Sequence, residues 1–202
     1  MKGQVTEFKL VSGALVILAV ATATLVAMPY LLLRDVKPPA ALKPYTAQQL
    51  RGRAVYVKNG CIYCHSQQPR DPSQAPDDTR GWGRPSVAAD YAYDSPHLLG
   101  TMRTGPDLFN IAVRQPSADW HLGHLYQPRA YTKGSIMPAF PFLFIRHAGP
   151  PAPGEKAINL PPEYAKPGVS VIATAQAQDL VAYLLSLDHS YPVLTADEQV
   201  HD

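Results

Sequence analysis

The chain has 202 residues, a formal charge of +2 and a hydrophobic share of 46%, which suits one ordinary globular domain plus appendages. The small charge and the absence of a run of basic residues exclude a nucleic-acid stripe, so no nucleic-acid partner is expected. Twenty-one prolines predict much irregular, extended chain in place of a regular sandwich or bundle.

The first element is apolar. Leu10 to Leu33 contains no charged residue, and its 24 residues make roughly 36 Å of helix. That length crosses a hydrocarbon core of about 30 Å. A cleaved signal peptide is the rival reading, since "AVATATLVA" offers small residues, but the apolar run continues past those sites and exceeds an ordinary signal core. The expectation is an uncleaved anchor in membrane lipid at 10–33, after a short cytoplasmic N-terminus at 1–9. Pro29 is expected to kink its last turns. Lys2 and Lys9 before the span and Arg34, Lys37 and Lys43 after it give no clear vote on orientation.

A stiff stalk follows at 34–45, with Pro38, Pro39 and Pro44. The main domain is expected at 46–190 and a C-terminal tail at 191–202. Residues 46–60 read as a helix with Thr46 and Gln49 as a capping box, Gly60 as its stop, and Leu50, Ala54 and Val57 as its apolar face. Residues 67–98 read as ordered loop, and Ser117 caps a short helix to Tyr126. Residues 146–170 read as Pro-rich loop, with few strands anywhere. Thr174 caps a final helix whose Leu180, Tyr183, Leu184 and Leu187 share one face, expected to pack on the first domain helix. The fold class is therefore mainly α: one N-terminal transmembrane helix plus a helical domain with long Pro-rich loops.

The chemistry sits in "NGCIYCHSQQ". Cys61 and Cys64 are the two cysteines of the chain, and His65 follows directly. Zinc would need a second ligand pair, for which only His121 and His124 offer themselves at an unusual spacing. A thioredoxin-like pair would need a βαβ setting, and the preceding segment reads as helix. Haem attachment uses all three residues together: each thiol adds to a vinyl group and His65 becomes an axial ligand. Such attachment takes place outside the cytoplasm, so the domain should face the periplasm at the inner membrane. The expected cofactor is one covalently attached haem c.

The sixth ligand is open among Met102, Met137, His97, His121, His124 and His147. In "GTMRTGPDL", Gly105 and Pro106 suit the proximal face, where a carbonyl beside the proline would accept the Nδ1 proton of His65. Met102 lies too near that turn to reach the opposite face. Met137, between a long loop and Pro138 and Pro141, is the favoured ligand, and His/Met ligation raises the reduction potential. Arg103 and Arg129 are candidates for the haem propionates, with surface salt bridges as the alternative.

"VYVKNGCIYCHSQ", "PSVAADYAYDSPHLLGTMRTGPDL", "DWHLGHLYQPR" and "SIMPAFPFL" resemble, in the same order, the mono-haem cytochrome c subunit (subunit II) of cbb3-type haem–copper oxidases. The resemblance covers nearly the whole chain. It implies a class I cytochrome c-like domain after the transmembrane helix, with haem on Cys61 and Cys64, His65 proximal and Met137 distal. It also implies a multi-span haem–copper catalytic subunit and a di-haem cytochrome c subunit as partners, with electrons passed towards reduction of O2. The chain departs from the family's pattern in "SQQPRDPSQAPDDTRGWGRPSVAAD" and at Met102, where Lys is common. Alternative functions are a subunit of a nitric oxide reductase-like complex, an open-site haem enzyme or sensor, and a free-standing anchored shuttle.

Overall fold

The computed structural model describes residues 6–100 and 102–193. The expected N-terminal segment and C-terminal tail therefore lie largely outside the described residues. The chain divides into two compact units, Met1–Pro38 and Pro39–Asp202.

The first unit is a helix, α1 (Glu7–Leu33), long and apolar enough to cross a membrane and with none of its residues buried by the protein. It is α-helical to Thr22, widens to a π-helical stretch at Ala23–Ala27, and returns to α at Met28–Leu33. Pro29 explains the widening: it has no N–H to give, and its ring would strike the carbonyl four residues back, at Leu25. The wider turn relieves that clash, with the Met28 N–H reaching Ala23 O. The expected kink is thus absorbed as a π-bulge.

The second unit starts from α2 (Ala47–Lys58). Thr46 Oγ1 accepts from Gln49 N at 3.2 Å and Gln49 Oε1 accepts from Thr46 N at 2.8 Å, the reciprocal box read from the sequence. Four further helices follow: α3 (Ile111–Arg114), α4 (Ala118–Tyr126), α5 (Pro128–Tyr131) and α6 (Ala175–Leu184). Ser117 caps α4 and Thr174 caps α6. Leu180, Tyr183, Leu184 and Leu187 are all buried, as their spacing predicts.

Helices α2 and α6 pack directly on one another, through a glycine. A Cβ at Gly52 would lie 1.8 Å from the Asp179 carbonyl oxygen and 2.8 Å from Tyr183 Cβ. The buried face of α2 is Gly52, Arg53, Val55 and Tyr56. This corrects the expected apolar face: Leu50 is 51% exposed, Val57 is 44% exposed and Ala54 is exposed. The reason is close approach, because the helix turns its smallest residue, Gly52, towards the crossing and so carries Leu50 and Val57 to the outside. Tyr56 and Tyr183 meet edge to face at 5.5 Å beneath it.

The segment 146–170 is not all loop. β1 (Phe144–Ala148) pairs antiparallel with β2 (Val169–Ala173), with Phe144 opposite Ala173 and Ala148 opposite Val169. The Pro-rich excursion between the strands hid them. The expected loop at 67–98 holds one short 3-10 turn, Ala88–Tyr91. It is ordered by ion pairs: Arg53 with Asp94 at 3.0 Å, Arg84 with Asp90 at 2.7 Å and Arg103 with Asp77 at 2.7 Å. Order extends to Tyr191, whose hydroxyl donates to Asp90 at 3.0 Å.

Gly52→Ala is expected to destabilise the domain by about 1–3 kcal/mol, because the added methyl meets backbone that cannot step aside. Leu50→Ala, on the exposed face, should change stability by less than about 0.5 kcal/mol. Chemical unfolding midpoints of the detergent-solubilised chain check both, and equal losses would refute this face assignment.

Candidate haem site

Helix α2 stops at Asn59, and Gly60 turns the chain at φ +70°, a left-handed conformation that costs glycine little. The 3-10 turn Cys61–Tyr63 follows, with Cys64 N and His65 N both donating to Cys61 O at 3.1 and 3.0 Å. One turn thus gathers both thiols and the imidazole. Both cysteines are free. Burial pushes the Cys61 thiol up to about 11.

His65 is held from the far side by the TGP turn. Its Nδ1 lies 2.7 Å from the Pro106 carbonyl. A carbonyl only accepts, so the proton is on Nδ1 and the lone pair is on Nε2. Burial pulls the His65 pKa down, although the Pro106 bond opposes it, so the ring is neutral and fit to bind a metal. Gly105 makes this approach possible: a Cβ there would sit 2.3 Å from His65 Cε1. Gly105 N donates to Cys64 O and Leu108 N to Ser66 O, both at 2.8 Å, so the two segments zip together around the ring.

His65 and Cys64 open onto a cavity of about 390 Å³ that Met137 also lines. Ser135 Oγ accepts from Met137 N at 3.2 Å and helps to fix that loop. Helix α4 lines the cavity through Trp120, His121, His124 and Leu125. His121 Nε2 donates to Gln115 O at 2.8 Å, so that histidine is already partnered. His124 is not: its Nδ1 is buried with no hydrogen-bond partner among the described residues. Its ring stacks on Trp120 at 4.5 Å, and burial, with His121 and His65 nearby, lowers its pKa to about 4.

The residues present fit a haem. A largely apolar cavity offers the Cys64 thiol, a tautomer-fixed imidazole and a thioether in its lining, with Cys61 one turn before them, which is the donor chemistry of a ligated, covalently held macrocycle. Among the described residues no group of three or more His, Cys, Asp and Glu side chains comes together as a metal site, so His121 and His124 do not complete a zinc cluster with the cysteines.

The other candidates lie elsewhere. Met102 is 56% exposed and His97 is exposed beside Tyr91. His147 sits on β1 with Glu155 3.7 Å away. Arg103 does not line the cavity. Its guanidinium bonds Asp77 Oδ1 at 2.7 Å, Ser66 Oγ at 3.0 Å and the Gln68 carbonyl at 2.7 Å. It forms a buried network and not the surface salt bridge that was the alternative. Arg129 is exposed, lies off the cavity lining and makes no ion pair among the described residues. Sequence reasoning missed Ser66, Asp77, Asp107 and Trp120. An acidic residue straight after the TGP proline was the available signal for Asp107.

Gly105→Ala should drive the imidazole away from Pro106 and lengthen the Nδ1–carbonyl bond. The His65 Nδ1–H proton resonance is expected to shift upfield or be lost to exchange, and an unchanged resonance would show that the ring is held some other way.

No curated protein matches the chain. Residues 4–156 match the family model described as cytochrome c oxidase, mono-heme subunit/FixO. That match spans the apolar helix, both cysteines, His65, Pro106 and Met137, and so takes in every candidate ligand. The chain belongs to the FixO family of mono-haem cytochrome c oxidase subunits.

Proposed function

We propose that the chain carries one haem c, bound through thioethers to Cys61 and Cys64, with His65 and Met137 as axial ligands, and relays electrons to the haem–copper subunit that reduces O2 to water. The carrying observation is the pairing of a Pro106-anchored, neutral His65 with Met137 in the lining of one apolar cavity. When bound, the iron would supply one-electron redox chemistry. The chain's own part is to hold the ligands rigidly, exclude water and keep a high potential through the thioether. Lys133 is the cationic side chain lining the cavity. It takes over the propionate role expected of Arg103 and Arg129.

Thioether formation belongs outside the cytoplasm, so the domain from Pro39 onward is assigned to the periplasmic side, with the N-terminus inside. The multi-span catalytic subunit is the electron acceptor in this reading, and the di-haem subunit is a further partner. His124 supports a second reading of the distal ligand, because its unpartnered ring nitrogen is a donor without a use.

Three variants separate these readings in the membrane-extracted complex. Cys61→Ala and Cys64→Ala should each shift the pyridine haemochrome towards that of a haem with one vinyl retained. Met137→Ala should abolish the thioether-to-iron charge-transfer band of the ferric form, whereas His124→Ala should leave it. A wild type that lacks this band, with a ferric spectrum that changes in His124→Ala and not in Met137→Ala, would transfer the ligand role to His124. Finding only c haem in the intact complex would refute the oxidase assignment, and turnover with NO but not O2 would redirect it.

A further inference from the structure

Behind the proximal histidine lies a polar network that haem ligation by itself does not require. The Asp107 and Asp77 side chains are fully buried. Asp107 Oδ2 accepts from Ser66 Oγ at 2.6 Å and from Gln68 N at 2.8 Å, while its Oδ1 accepts from Phe109 N at 2.8 Å. Ser66 Oγ in turn accepts from Arg103 Nε at 3.0 Å. Arg103 continues to Asp77, which also takes the Arg70 N–H at 2.8 Å, and its guanidinium lies 5.3 Å from the centre of the Trp82 ring.

The placement of these contacts matters. Ser66 follows His65 and Asp107 follows Pro106, so the Ser66–Asp107 bond runs beside the His65–Pro106 bond, one residue further along each segment. Ser66 has one hydroxyl proton, given to Asp107, and its lone pair is taken by Arg103, so the hydroxyl has one orientation open to it. Burial keeps water from substituting for any member, which makes such a network strongly directional. Three of the fork's nitrogens have three different partners, a geometry that a lysine ammonium does not reproduce.

We propose that Ser66, Arg103 and Asp107 are positioning residues for the proximal histidine: they press the Pro106 carbonyl onto His65 Nδ1 and so set how strongly His65 donates to the haem iron. A strong bond at Nδ1 raises the ligand basicity of the ring and favours the ferric state. Loosening it favours the ferrous state. The inference rests on the haem reading above, and it gives Arg103 a role in tuning potential in place of binding propionate.

The test uses the full-length, haem-loaded chain. Ser66→Ala removes the donor to Asp107 without changing charge. It should raise the ferrous-to-ferric ratio at fixed solution potential by about three- to tenfold, the size of one hydrogen bond's net contribution. For a one-electron couple that is a rise of about 30 to 60 mV. Arg103→Lys should raise it in the same direction, and Ser66→Thr, which keeps the hydroxyl, should restore the wild-type value. The His65 Nδ1–H resonance should move upfield in step with potential. Asp107→Asn also removes a charge, so a shift in that variant with no change of potential or resonance in Ser66→Ala would overturn the proposal and leave only an electrostatic effect. Should Asp107→Asn fail to fold, Ser66→Ala decides alone. A wild-type chain with no c-type haem spectrum sinks the underlying haem reading, whereas a loaded wild type with an unresponsive Ser66→Ala sinks only this one.

Discussion

The contact from His65 Nδ1 to the Pro106 carbonyl, at 2.7 Å, is the constraint around which the site is organised. It fixes which ring nitrogen keeps its lone pair, and it forces two segments 41 residues apart into register. Gly105 must be a glycine for the ring to fit, since a side chain there would occupy the imidazole's place. The neighbouring bonds from Gly105 N to Cys64 O and from Leu108 N to Ser66 O follow from the same register. The cavity then has a rigid proximal wall before any ligand enters, which keeps the ordering cost of binding low.

The helices serve this wall indirectly. Gly52 lets α2 lie against the backbone of α6, and that close crossing places the C-terminal end of α2 where Cys61 begins. Tyr183 links the two halves: it packs on Tyr56 and its hydroxyl bonds the Gln67 side chain at 3.1 Å, two residues beyond His65. A helix read as mere packing thus reaches the site through one hydroxyl. The Pro-rich segment from Gln67 onward is held by buried arginine–aspartate pairs instead of by regular structure. Buried pairs of this kind resist the loss of either partner, because the one left behind would remain charged and unsolvated.

Much of this was legible in the sequence wherever one residue type meets one local requirement. Thr46, Ser117 and Thr174 cap their helices because each lies just before an apolar-periodic run and its hydroxyl meets an unpaired N–H. The membrane-length helix was legible by length and lack of charge. The exposed side of α2 was not, since Leu50 and Val57 outrank Gly52 on any scale of hydrophobicity. Only the proximity of Asp179 reveals that the smallest residue faces the crossing. The strands β1 and β2 were illegible for a related reason, as each gains its partner from the far side of a proline-rich excursion.

The sequence by itself determined the Cys61, Cys64 and His65 grouping, the long apolar helix and the helix caps, because each depends on residues within a few positions of one another. Tertiary structure alone decided the competition for Arg103. A guanidinium suits a surface carboxylate and a buried one equally in chemistry, and only the 2.7 Å separation from the buried Asp77 selects the second. It likewise decided that His124 lies in the cavity wall with a ring nitrogen that has no partner among the described residues, while His121, three residues earlier, has its partner in Gln115. Hydrogen bonds and ion pairs act over a few ångströms, and the order of residues does not state those distances once the partners lie tens of positions apart.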